Sequence, residues 1–145
     1  IFFTKGVIET VKKLNWIPDI IHLHGWFTSL FPLYIKKLYL DDPIFEKSKI
    51  VSSLYSKAFD GNLSKALTKK IQFDGIDENL DSISSPDFSS LSDLMIQFSD
   101  SVIFSSDNIE KDLKSSVKKY SKDSLSFKDS SSEEKLMDFL LKNID

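Results

Sequence analysis

Apolar positions three and four apart dominate the start of the chain. Within "GVIETVKKLNW", from Gly6, Val7, Val11 and Leu14 share one side of a helix while Glu9, Lys12 and Lys13 turn away. Pro18 and Asp19 break that period, and "IIHLH" follows as a short β-branched run suited to a buried parallel strand, stopped by Gly25. Over 26–40 the helical period returns, with Phe27, Leu30, Phe31, Tyr34, Ile35 and Leu38 on one stripe and Lys36 and Lys37 near its C-terminal end. Pro32 fits either a first turn capped by Thr28 or Ser29, or a kink. After the turn "DDP" comes a second strand, "KIVSSLY" at 49–55, which makes a β–α–β unit.

Beyond it the pattern weakens. "DGNLSKALTKKI", from Asp60, predicts a short helix with Leu63 and Leu67 four apart, and the acidic, serine-rich stretch 77–90 predicts a surface loop. Leu91, Leu94, Met95 and Phe98 predict a helix over 91–98, and "SVIF" at 101–104 a third strand. "SSDNIEKDL" predicts a helix start capped by Ser105, Ser106 or Asp107. The tail offers a marginal strand at 125–127 and a terminal helix capped by Ser131 or Ser132, with Glu133 and Glu134 in its first turn and Leu136, Phe139, Leu140 and Ile144 as its packing face. Alternating strands and helices predict a doubly wound α/β layer with a mainly parallel sheet. There is no internal repeat.

Composition narrows the chemistry. A chain of 145 residues, 41% hydrophobic, is the size of one domain with one core. Nineteen basic residues scattered among 22 acidic ones leave a net charge of −3 and no continuous basic face, so nucleic acid is not an expected partner. No apolar run approaches the roughly 20 residues of a bilayer span, and no membrane association is expected. Cysteine is absent, which excludes disulfides, thiolate catalysis and cysteine-based metal centres, and fits a cytoplasmic location. "IFFTKG" does not read as a signal peptide, and a chain beginning at Ile1 within structured sequence reads as a fragment.

Both histidines sit in β-period spacing at the end of "IIHLH", so His22 and His24 share one face while Ile21 and Leu23 share the other. The C-terminal end of a parallel strand is where open α/β sheets bind ligands. The pair could contact a ligand there. Single-residue chemistry alone favours a structural role, His22 hydrogen-bonded in the strand and His24 supporting the turn. A metal site lacks an obvious third ligand, and a serine hydrolase lacks its G-x-S-x-G elbow. Gly6, Gly25, Gly61 and Gly75 form no phosphate-binding fingerprint, so no cofactor or metal is expected.

The stretch "PDIIHLHGWFTSLFPLYIKK" resembles the strand–turn–helix of bacterial glycogen and starch synthases, retaining glucosyltransferases of the two-domain GT-B type. Their pattern is P-D-[IV]-[IV]-H-x-H-D-W-[HQ]-[TA]-x-L-x-P-x-Y-[LI]-K. It is matched here by Pro18, Asp19, Ile20, Ile21, His22, His24, Trp26, Thr28, Leu30, Pro32, Tyr34, Ile35 and Lys36. "KGVIETVKKLNW", "DPIFEKSKIVSSLYSKAFDGNL" and "FSDSVIFSSDNI" are similar to flanking elements of a short, Bacteroidetes-type branch.

The resemblance implies that residues 1–145 are the C-terminal portion of an N-terminal Rossmann-like domain, an incomplete one. It also implies ADP-glucose and an α-1,4-glucan as substrates, a second domain or partner chain to close the cleft, and His22, His24, Trp26 and Thr28 on the substrate side. Alone, the fragment is not expected to catalyse transfer. The departures point to a second reading, a catalytically silent relative that binds glucan or a partner. Gly25 and Phe27 replace an acidic residue and a histidine or glutamine, and Ser53, Leu54, Tyr55 and Ser56 replace T-I-H-N. The K-x-G-G-L nucleotide loop is missing.

Overall fold

Four parallel strands form the sheet of this computed structural model, which describes residues 1–77 and 80–144. The elements run α1 (Phe2–Lys13), β1 (Ile20–His24), α2 (Leu30–Leu38), β2 (Lys49–Leu54), α3 (Ala66–Phe73), α4 (Phe88–Phe98), β3 (Ser101–Phe104), α5 (Lys111–Lys119), β4 (Asp123–Leu125), α6 (Phe127–Ser130) and α7 (Glu133–Lys142). The sheet order is β1-β2-β3-β4, with Ile21 opposite Ile50 and Ser52 opposite Val102.

A sheet that grows in one direction through right-handed crossovers collects its connecting helices on a single face. That is where the main core lies: Leu23, Ile50, Leu54 and Val102 from the strands pack with Leu30, Leu33 and Tyr34 of α2, Leu91, Leu94 and Met95 of α4, and Leu113 and Val117 of α5. The opposite face holds a much smaller cluster, Val51 and Ile103 under Phe139 of α7, flanked by Ile20, Leu125, Leu136 and Leu140. Helices therefore flank both sides of the parallel sheet, as the alternation predicts, but unequally.

The edges also differ. Lys49 N–H donates to the Asp19 carbonyl and Gly25 N–H to the Ser53 carbonyl, so the odd-numbered residues of β1 bond to β2. The backbone groups of Ile20, His22 and His24 consequently face an edge that pairs with no strand among the described residues. Phe3 and Trp16, both exposed, line a groove beside it.

Several boundaries differ from the sequence reading, each for a local reason. The first helix begins at Phe2, before Gly6, and ends where Asn15 takes a positive φ of 49°, which leaves Leu14 exposed and puts Ile8 and Thr4 in the core. Over 26–40 the chain first makes a 3₁₀ turn, Trp26–Thr28, and Pro32 lies in the first turn of α2; Ser29 occupies the cap position but makes no side-chain cap bond. Phe27 falls outside the buried stripe.

The helix expected from Asp60 starts at Ala66, because Leu63 N–H is used by the Pro86 carbonyl and Asn62 bridges to Asp87. The stretch 77–90, in which Glu78 and Asn79 lie outside the described residues, is not only surface loop. Leu80 and Ile83 are buried, and Asp87 with Ser90 forms a capping box that starts α4 three residues early.

None of Ser105, Ser106 and Asp107 caps α5, which starts at Lys111 behind Glu110. Ser105 N–H continues the ladder by donating to the Leu54 carbonyl, and Ile109 is drawn into the core before the helix begins. The marginal strand ends at Leu125 because Ser126 caps α6. Ser132 caps α7 as expected, while Ile144 stays exposed.

Candidate functional site

β1 ends in a turn built around Gly25. Its φ of 71° and ψ of 175° belong to a region essentially restricted to glycine, so the missing acidic residue at this position is tied to the shape of the turn as well as to its chemistry. Thr28 secures the turn, its hydroxyl donating to the Gly25 carbonyl at 2.9 Å and its N–H to the same oxygen at 3.2 Å. That use commits Thr28 to the fold.

The two histidines leave β1 on one face, their ring centroids 4.2 Å apart. His22 Nε2 lies 2.8 Å from Ser53 Oγ, and His24 Nδ1 lies 3.0 Å from the Tyr55 hydroxyl. His22 is half-buried, and burial, with a smaller push from neighbouring His24, lowers its pKa from the usual 6.5 to about 4. It is neutral at physiological pH. His24 is exposed at the strand end.

Trp26 packs against the core cluster and against Phe59 at 4.7 Å between centroids. Phe27 points the other way, 61% exposed, edge-on to Trp26 and 5.1 Å from Phe3 across the mouth of the free β1 edge. Aromatic surface therefore continues from α1 through the turn to Phe59. His22, His24 and Thr28 also line a mainly apolar groove of about 340 Å³ between α1 and β1.

Phe59 connects this turn to a larger crevice of about 630 Å³ beyond the C-terminal ends of β2 and β3. Lys57, Asn62, Asp87, Ser89, Glu110, Lys111 and Asp112 supply its polar lining. Two of these are occupied within the protein: Lys57 pairs with Asp60 at 2.6 Å, and the Asp87 carboxylate accepts Ser90 N–H at 2.7 Å, a bond that lowers its pKa. Amide, carboxylates and an aromatic edge in one cleft suit a hydroxyl-rich ligand. No cluster of metal-ligating side chains exists among the described residues.

All four residues singled out from the sequence thus gather within one strand end and turn. The structure adds Ser53 and Tyr55, which the sequence reading counted only as lost substrate contacts. They hold the two imidazoles diagonally across a register that sets His22 opposite Val51 and His24 opposite Ser53, and that register is not visible in the sequence. The residues of the larger crevice come from three separate segments, two of them reaching into the first turns of α4 and α5, and likewise had no signal.

Comparison with known proteins places this geometry. A family model described as the starch synthase catalytic domain matches residues 1–125. The glycogen synthase of Clostridium perfringens is 41% identical over 63 residues, 43% of this chain and 13% of that protein. That of Chlorobium luteolum is 41% identical over 71 residues, 49% of this chain and 14% of the relative. The catalytic domain of starch synthase IV from Arabidopsis thaliana, solved bound to ADP and acarbose, superposes with a TM-score of 0.64 at 21% identity, covering 89% of this chain and 30% of that one, which is a likeness of fold. The matches span about 13–14% of the length of these two glycogen synthases. No described helix is long and apolar enough to cross a membrane.

Proposed function

Since the chain belongs to the starch synthase catalytic domain family, we propose that it is part of a glucosyltransferase that moves glucose from ADP-glucose to an α-1,4-glucan. The observation that carries this reading is the junction of His22, His24 and Trp26 at the end of β1 with the crevice that Phe59 shares. Both lie beyond the C-terminal strand ends, where parallel sheets bind ligands. ADP and acarbose in the starch synthase IV structure support the same ligand classes.

In this reading residues 1–145 form the C-terminal portion of an N-terminal Rossmann-like domain, of the short Bacteroidetes-type branch and in a cytoplasmic setting. His22, His24 and Trp26 border the sugar, and Thr28 acts by holding the turn. A second domain or partner chain supplies the groups that stabilise the departing diphosphate, so the chain alone binds but does not transfer.

One observation favours a catalytically silent glucan- or partner-binding relative instead. Phe27 is exposed where active members carry a hydrogen-bonding side chain, and a phenyl ring cannot replace that bond. Calorimetric titration of the chain and of Phe27→His with ADP-glucose and with maltohexaose separates the readings. Binding of both ligands, unchanged or tightened by Phe27→His, is the expected result. Glucan binding without the nucleotide sugar in either form selects the silent relative, and binding of neither overturns both.

A further inference from the structure

Tyr55 has one hydrogen-bond partner among the described residues, the Nδ1 of His24 at 3.0 Å. A neutral phenol is a good donor, and a ring nitrogen that accepts a hydrogen bond cannot carry the ring proton. In a neutral imidazole the proton is then left on the other nitrogen. The Nε2 of His24 makes no hydrogen bond to the described protein, and the residue is exposed at the end of β1. Its neighbour is already committed: the His22 ring lies 4.2 Å away and uses its own Nε2 on Ser53.

We propose that Tyr55 is a positioning residue whose O–H donates to His24 Nδ1, fixing the tautomer with Nε2–H and so presenting an N–H donor to an oxygen of the bound ligand. The ligand half rests on the reading of this strand end as the sugar side of the cleft; the tautomer half does not. The oxygen is a sugar hydroxyl or a phosphoryl oxygen, which share the capacity to accept. The opposite tautomer would turn Nε2 into an acceptor, and a phosphoryl oxygen could not then bind it. Ser53 steadies the inner ring of the pair.

The test is the two-bond proton–nitrogen correlation spectrum of the imidazoles in the ¹⁵N-labelled chain at about pH 8, where an ordinary imidazole is neutral. The two histidines are assigned with His22→Gln. His24 is expected to show a pyrrole-type Nε2 and a pyridine-type Nδ1. Tyr55→Phe should lower the ratio of the Nε2–H to the Nδ1–H form about 2- to 10-fold, the range of one ordinary hydrogen bond. Incorporation of 3-fluorotyrosine, a stronger donor that leaves every side chain in place, should raise it when the spectrum is taken at about pH 7, before the more acidic phenol ionises and loses its donor. A predominant Nδ1–H form, or a ratio that neither change moves, overturns the proposal. Titration with maltohexaose and with ADP then asks which oxygen the donor meets. If neither moves the His24 signals, the ligand half falls together with the functional reading beneath it, while the tautomer ratio stands on its own measurement.

Discussion

The two faces of the sheet are built from the same strands and have opposite fates. One receives α2, α4 and α5 and buries Leu23, Ile50, Leu54 and Val102 beneath them; the other receives α7 and presents His22, His24 and Ser53 beside the small Val51–Ile103–Phe139 cluster. Ser101 Oγ, the buried side-chain polar atom without a partner among the described residues, also lies on this second face, two residues from Ile103. The cause is topological. Because β1, β2, β3 and β4 add in one direction, the connections all bury the first face and leave the second to whatever the chain adds later. Stability is concentrated on one side, and the imidazole pair stands on the other.

The sharpest challenge to that division is a pair of deletions. Ile50→Ala, at a fully buried position of the first face, should cost about 3 kcal/mol in a urea titration and lower the midpoint for the whole chain. Phe139→Ala should cost about 2 kcal/mol and release α7 locally, so that amide exchange accelerates over 133–142 while α4 keeps its protection. Equal, global losses from both would mean that the two faces fold as one unit.

Smaller effects probe the open part of the second face. Gly25→Asp restores the acidic residue of the family pattern but forces an L side chain into a glycine conformation, and should destabilise by about 1–2 kcal/mol. No loss, with glucan binding gained, would show that the turn relaxes freely. The pH dependence is gentler still. His22 holds its proton more weakly when folded, at a pKa of about 4 against the ordinary 6.5, so the unfolded chain binds more protons between those values. Its contribution is intact above about pH 6.5 and drains as pH falls towards 4. His22→Gln should flatten the urea midpoint across that window; an unchanged slope would assign the effect to another group.

The same asymmetry explains what could be read from the chain. β1, β2 and β3 were legible because a short apolar run bounded by turn residues has few alternatives, and period two put His22 and His24 together. The starts of α4 and α5 were not legible. Asp87 and Ser90 had to be recognised as a reciprocal cap inside a polar stretch, and Ser105 served the ladder to Leu54 instead of a helix. Ser53 and Tyr55 looked like absences against the family pattern. Only the register of β1 on β2 turns them into the partners of the imidazoles.

The edge of β1 that pairs with no strand among the described residues carries a consequence for the material in the tube. Edge strands are usually blunted by lysine, proline or a bulge, and Ile20–His24 has no lysine or proline, while Phe3 and Trp16 stand exposed beside it. Colloidal behaviour should follow from those few residues and not from a net charge of −3. Light scattering that rises with concentration and is suppressed by a lysine at Ile20 would mark this seam, rather than any loss of folding, as the origin of self-association.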